Sequence, residues 1–321
     1  MPTWTRQRVP PGSSDVLADG VREAAVSVSV PATTANLGPG FDSLGMALSL
    51  HDEASAQQLA DRPAGHIEVE VSGEGAGVVP TDASHLVVRS MLACFEAMGV
   101  AVPAFRLTCR NVIPHGRGLG SSAAAIVSGV VLARAMAVAG GELLDDAGLL
   151  GLAADLEGHP DNVAPALLGG FTISGRDESG RWYAVPSPLM PTLRAVVMIP
   201  PDAVSTKTAR GLLPATVPHA EAAANAGRTA LLVAALAGRE DLLLEGTRDW
   251  LHQTQRRPAM PETLDLVHDL RRRGIAATVS GAGPTVLALG GADIDDRVGD
   301  APAGWARHVV EPDAQGARVI G

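Results

Sequence analysis

Apolar and polar positions first alternate at residues 26–30, where Val26, Val28 and Val30 interleave with Ser27 and Ser29. A period of two puts the valines on one face and predicts a half-buried strand, stopped by Pro31. Ile67, Val69 and Val71 against Glu68 and Glu70 predict a second strand. Phe105, Leu107 and Cys109 predict a third, ending before Pro114. Helical spacing places helices over 86–98, 123–138 and 143–154. Early strands followed by helices suggest α+β rather than strict βαβ repetition. Further on, the run AVVMI at 195–199 predicts a buried strand ended by Pro200 and Pro201. Helices are expected over 220–237, 242–250 and 261–273, the last terminated by Gly274. Apolar runs at 275–279 and 286–289 flank a glycine-rich turn, and 305–310 predicts a last strand.

A single core usually stops growing near about 250–300 residues, so a chain of 321 residues predicts two units sharing a cleft. Residues 1–25 are mostly polar, without periodicity, and are expected to form a disordered extension. The units are then 26–190 and 191–321, divided at the prolines of 185–192.

Charge and composition narrow the function. A net charge of −10 with 3% aromatics excludes a general nucleic-acid binder, which needs a basic surface and stacking rings. The longest apolar stretch, 123–138, is broken by Ser128 and Arg134 and falls short of the ~20 residues that span a bilayer. Cys94 and Cys109 lack zinc spacing, and no secretory signal precedes them, so a soluble, cytoplasmic protein with free thiols is expected. The chain has one lysine, Lys207, and no glycine precedes it, which rules out a Walker A loop. Any phosphate site must use backbone amides, hydroxyls, arginines or a metal.

Three segments carry candidate chemistry. In PHGRGLGSSAA, residues 114–124, a strand feeds three glycines and a helix opens at the serines. Glycines let the backbone approach a ligand, and successive amides plus a helix start can form an anion nest. PATTANLGPGFDSLG, residues 31–45, holds Asn36 and Asp42, fit either for turn chemistry or for a substrate ammonium or hydroxyl. SGAGPT, residues 280–285, reads alone as a tight turn between apolar runs.

Together, in this order, the segments resemble the GHMP kinase superfamily, and most of all its homoserine kinase branch. EGHPDNVAP at 157–165, LLGGF at 167–171, STKTARGLLP at 205–214 and HQTQR at 252–256 extend the resemblance over about residues 26–321. It implies a ribosomal-protein-S5-like N-terminal domain, a ferredoxin-like C-terminal domain, and ATP and substrate meeting between them. The implied reaction transfers the ATP γ-phosphoryl to the hydroxyl of L-homoserine, giving O-phosphohomoserine for threonine synthesis. The alternatives are another GHMP small-molecule kinase, mevalonate-type or sugar, or a non-catalytic ligand sensor on the same fold. A two-fold homodimer is the default assembly.

The resemblance also assigns residues. Pro114, His115, Gly116, Arg117, Gly118, Leu119, Gly120, Ser121, Ser122, Ala123 and Ala124 would wrap the phosphates of ATP, with Ser121 or Ser122 near Mg²⁺. Glu157 would supply the metal carboxylate, with Asp155 as the alternative register. Arg210 and Arg256 would bind the homoserine carboxylate, because a guanidinium fork grips carboxylate with two bonds. Asn36, Asp42, His159, Asn162 and Thr206 would be the other substrate-side positions, Asp42 facing the ammonium. Ser122, His159 and Asn162 would flank the reacting groups. Related kinases place an Asp as base where this chain has Asn162, which cannot take a proton at neutral pH. Asp161 and His159 are the neighbouring candidates, His159 more as an orienter.

Overall fold

The computed structural model describes residues 20–22 and 24–320. Most of the extension expected over 1–25 lies outside the described residues. The first part contains β1 (Val26–Ala35), β2 (Leu44–Gln58), β3 (Ile67–Gly73), α1 (Leu86–Met98), β4 (Phe105–Asn111), α2 (Ser121–Met136), α3 (Gly140–Leu143), α4 (Asp146–Glu157), α5 (Pro160–Leu168), β5 (Phe171–Arg176) and β6 (Trp182–Ser187). Then follow β7 (Arg194–Ile199), α6 (Thr206–Gly211), α7 (His219–Leu236), α8 (Leu243–Gly246), α9 (Pro261–Arg272), β8 (Ala276–Val279), β9 (Val286–Gly290), α10 (Ile294–Val298), β10 (Ala306–Val310) and β11 (Arg318–Val319). No helix among the described residues is long and apolar enough to cross a membrane.

The first sheet runs β11-β1-β2-β4-β3, with β5 on β2 and β6 on β5. β3 and β4 are parallel, with α1 as the crossover; the other pairs are antiparallel. Val28, Val30 and Leu107 pack beneath Phe95 of α1, Ile126 of α2, Ala153 of α4 and Val163 of α5 in one core. The second sheet, β10-β7-β9-β8, is antiparallel throughout. Ala195, Val197 and Ile199 of β7 join that first core, whereas Val196 and Met198 face a second core with Leu264 and Leu270 of α9. Burial on both faces is why AVVMI has no polar alternation.

Several expectations are corrected. β1 does not stop at Pro31 but continues to Ala35, because the register shifts between Pro31 and Ala32, and a bulge tolerates a residue without an N–H. The helix expected over 242–250 ends at Gly246. Beyond it the Asp249 carboxylate accepts the N–H groups of Leu251, His252 and Gln253 and starts a separate turn. Strand 305–310 is present as β10 but is not the last, since β11 returns to pair with β1. That return is fastened by Asp313, which accepts from His51 at 2.7 Å. β2, β5, β6, α5 and α6 had no sequence forecast. In β2 only the first part carries a hydrophobic period, the buried Leu44, Met46 and Leu48; the later part buries Asp52, Ala54 and Ala56, a weak hydrophobic signal.

Gly45 of β2 sets how α5 sits. A Cβ there would overlap the Asp161 carbonyl oxygen and lie 2.8 Å from the Pro165 ring, so the first turn of α5 rests directly on strand backbone. Gly45→Ala should therefore lower the free energy of unfolding by roughly 1–3 kcal/mol, as overpacking does. Gly151, inside α4, has open space around an added Cβ. Gly151→Ala should raise stability by about 0.5–1 kcal/mol. Urea unfolding of both variants checks the opposite signs.

Candidate active site

Residues 112–120 carry the chain from β4 into α2. Asp52, buried on β2, accepts the N–H groups of Val112 at 2.6 Å and Ile113 at 2.9 Å and so fixes the start of this loop. Burial raises the Asp52 pKa, and those two bonds oppose the rise.

Four consecutive loop carbonyls are each held by the protein. Gly116 O accepts from Val204 N (3.1 Å), Arg117 O from Thr285 N (3.3 Å) and Leu119 O from Thr33 N (3.0 Å). Gly118 O accepts from the Ser280 hydroxyl at 2.6 Å. The N–H groups of 116–122 make no hydrogen bond to a protein group among the described residues. Gly116, Gly118, Gly120, Ser121 and Ser122 instead line a cleft of about 180 Å³. Left-handed φ angles of 66°, 78° and 71° at the three glycines allow this arrangement of amides. An added Cβ at Gly118 would strike Ser280 O, and one at Gly120 would strike the Thr33 hydroxyl.

The rest of the loop supports it. Arg117 donates to His115 O at 2.9 Å, to Pro200 O at 3.1 Å and to Pro201 O, tying the loop to the end of β7. Leu119, Ala123 and Ala124 are buried in the core. Pro114, His115, Arg117, Leu119, Ala123 and Ala124 do not line the cleft.

The segments at 31–45 and 280–285 belong to the same assembly. Asn36 donates through Nδ2 to Gly281 O at 2.9 Å and accepts through Oδ1 from Asp42 N at 3.0 Å. Gly281 N donates back to Ala35 O at 3.0 Å.

Across the cleft, the Ser122 hydroxyl donates to Glu157 Oε1 at 2.6 Å. Burial raises the Glu157 pKa, with this hydrogen bond opposing. Ser121 lines the cleft but does not bond Glu157. Asp155 points elsewhere, accepting from Trp182 Nε1 at 2.7 Å and from Arg176 at 3.4 Å. His159 Nδ1 donates to Asp161 Oδ1 at 2.7 Å. Burial works against the His159 cation, but the Asp161 bond and charge, with Glu157, outweigh it and raise the pKa. Asn162 Oδ1 accepts the Thr33 hydroxyl at 2.8 Å, leaving its Nδ2 group for the cleft.

Two guanidiniums complete the site. Arg210 forks onto Asp42, at 3.0 and 2.6 Å. Arg256 is 1% exposed and donates to Gly281 O at 3.2 Å and to His252 Nδ1 at 3.0 Å. Burial first, and Arg210 second, lower its pKa to about 10, so it stays cationic at neutral pH. His252, fully buried, donates through Nε2 to Gly38 O at 2.7 Å, and with Nδ1 accepting it is the neutral tautomer. Phe41 stands 5.5 Å from the Arg210 guanidinium and 5.6 Å from that of Arg256. Thr206 lies at the first position of α6, where Ser205 caps Thr208 N at 3.0 Å. Asn36, Asp42, His159, Asn162, Thr206, Arg210 and Arg256 all line the same cleft as Glu157 and the loop. Thr33, Phe41 and Asp52 were not singled out from sequence. Only the crowding of small and polar residues in 31–45 hinted at the first two.

Because burial is the largest single influence on His159 and Asp161 is the main group opposing it, Asp161→Asn should drop the His159 pKa below the ordinary histidine value. NMR titration of the imidazole in the folded variant reads this directly. An unchanged pKa would assign the stabilisation to Glu157 instead.

The comparisons with known proteins agree with this geometry. Two family models match: GHMP kinases N terminal domain over residues 85–170 and GHMP kinases C terminal over residues 231–302. A homoserine kinase of Streptomyces coelicolor is 52% identical over 301 residues, 93% of this chain and 96% of that protein. One from Streptomyces avermitilis is 51% identical over 300 residues, covering 93% and 97%. The crystal structure of homoserine kinase from Cytophaga hutchinsonii superposes with a TM-score of 0.79 at 28% identity, covering 96% of this chain and all of that one. With half its residues shared along nearly its whole length, the chain belongs to the homoserine kinase family of the GHMP kinases.

Proposed function

We propose that this chain transfers the γ-phosphoryl group of ATP to the side-chain hydroxyl of L-homoserine, giving O-phosphohomoserine for threonine synthesis. The observation that carries the reading is one cleft in which an amide-lined loop, the Ser122–Glu157 pair and two arginines meet. The loop amides suit phosphate oxygens, and α2 adds its N-terminal partial charge. No lysine is needed there.

Glu157 and the Ser122 hydroxyl are the donors that fit Mg²⁺, shared with phosphate oxygens. No group of three His, Cys, Asp or Glu among the described residues could hold an ion alone. When bound, the ion supplies charge neutralisation on the transferring phosphate. Homoserine is a zwitterion, and the Arg210–Asp42 fork offers both signs of charge side by side. Arg256 adds a second cation, with only neutral hydrogen-bond partners. We assign the substrate carboxylate to the arginines and the ammonium to Asp42. Alcohols without a carboxylate give that pair nothing to hold.

Asn162 orients rather than takes a proton. His159, hydrogen-bonded to Asp161, holds its own proton and orients as well. A loose phosphoryl-transfer transition state leaves little for a base to do, so positioning and charge stabilisation carry the rate. The division at residues 190 and 191 and a cytoplasmic setting belong to the same proposal. Burial lifts the Cys94 thiol to about 11 and Cys109 to about 12, so both are unreactive in a reducing compartment.

Glu157→Gln should raise the Mg²⁺ concentration needed for half-maximal rate while the homoserine KM stays near wild type. Asp155→Asn should change neither. The reverse pattern in a magnesium titration would move the metal carboxylate to Asp155.

Arg256→Ala and Arg210→Ala should each cost roughly 2–5 kcal/mol. That is about 30- to several-thousand-fold in kcat/KM for homoserine, with ATP binding little changed. Arg210→Lys should also be poor, since an ammonium cannot reproduce the fork. Wild type should strongly prefer homoserine to the amino alcohol lacking its carboxylate. Variants that kept the wild-type preference would remove the physical support for homoserine as substrate.

A further inference from the structure

A second and larger cavity, of about 900 Å³, opens between α7, α9 and the turn at 247–255. Its wall is the reverse side of the turn that carries His252 and Arg256. Arg248, Arg271, Arg272 and His268 line it, against the acids Glu221 and Asp249. In a chain of net charge −10 this is a local excess of positive charge.

Two of these cations, Arg248 and Arg271, form no ion pair among the described residues. Both Asp249 oxygens accept backbone N–H groups of 251–253. Arg272 pairs with Asp269 at 3.0 Å, and nearby Glu245 pairs with Arg228 at 3.0 Å. Arg271 donates only to neutral oxygens: Thr247 Oγ1 at 2.8 Å, Ala277 O at 3.0 Å and Leu244 O at 2.5 Å. Arg248 forms no ion pair among the described residues and lies 4.4 Å from the Trp250 ring centre. Burial lowers the Arg271 pKa, Glu245 opposes, and Arg248 pushes it down further, so the two guanidiniums feel each other's charge.

A neutral donor on the same wall is also left to bind. Gln253 uses Oε1 to accept Thr278 Oγ1 at 2.9 Å and Val279 N at 2.7 Å, which leaves its Nε2 for the cavity.

We propose that this cavity is a binding site for a small polyvalent anion, one with clustered carboxylate or phosphate oxygens, held between Arg248 and Arg271 and separate from the phosphoryl-transfer cleft. Guanidinium forks match both oxygen types, and the volume admits more than a single simple ion.

Citrate and pyrophosphate serve as probes, titrated without Mg²⁺ into the full chain at constant ionic strength set with chloride. Calorimetry gives the stoichiometry, and the fluorescence of Trp250 reports locally, with Trp250→Phe as its control. At least one probe should bind saturably with one equivalent, and whichever binds identifies the oxygen type. Arg248→Ala removes an exposed side chain and should weaken that binding at least tenfold. Gly120→Ala, which crowds the phosphate loop, should leave it unchanged. No saturable binding of either probe overturns the proposal. So does equal affinity in Arg248→Ala, or loss of binding in Gly120→Ala alone. None of these readings uses phosphoryl transfer, so they stand or fall apart from the kinase assignment.

Discussion

The Ser280 hydroxyl gives its proton to the Gly118 carbonyl at 2.6 Å and lies 2.9 Å from the Thr34 hydroxyl. The rest of the site depends on this contact. A phosphate loop works only if its carbonyls face away from the ligand, because a carbonyl oxygen repels phosphate as surely as an amide attracts it. Ser280 comes from the second sheet's β8–β9 turn and Thr34 from β1 of the first sheet. One hydroxyl therefore ties loop orientation to the docking of the two sheets. The same junction explains the glycines, since Gly118 leaves no space for a side chain above Ser280 O.

A second constraint is the placing of charge. Arg256 is an almost fully buried cation without a hydrogen-bonded carboxylate, a costly arrangement for a fold alone. Neutral partners moderate it: His252 Nδ1, Gly281 O and Ala209 O accept from its donors, and Phe41 presents a ring nearby. His252 in turn rests on Gly38 O and on a turn that Asp249 nucleates. The cation thus sits on a scaffold that reaches from the 31–45 segment to the second sheet.

Much of this was legible in the sequence, for identifiable reasons. Strands with valines on alternate positions and helices with regular apolar spacing announce themselves. The glycine loop, the two arginines and Glu157 stood in recognisable motifs, and the cleft brings them together. What escaped depended on long-range pairing. β2 opens with buried Leu44, Met46 and Leu48, the first of them still inside the glycine-rich 31–45 segment, and its later part faces the core with alanines and an aspartate, so its hydrophobic period is short. Asp52 acts on Val112 and Ile113 far along the chain, and Thr33 on Asn162, partners that local spacing cannot disclose. The helix expected past Gly246 failed because Asp249 offered the backbone a better arrangement than the helical ladder.

β11 joins the first sheet by pairing with β1, nearly the whole chain later. On the ribosome, β1 can find β2 early, but its other edge stays open through the synthesis of everything between. An unpaired strand edge is a template for wrong partners. Folding of the first sheet is thus completed only when residues 318–319 emerge, and long-range closure of this kind is slow. The protein must pass through an interval in which its catalytic loop is already built and its sheet is still unsealed, and in that interval the open β1 edge is where misassociation would begin.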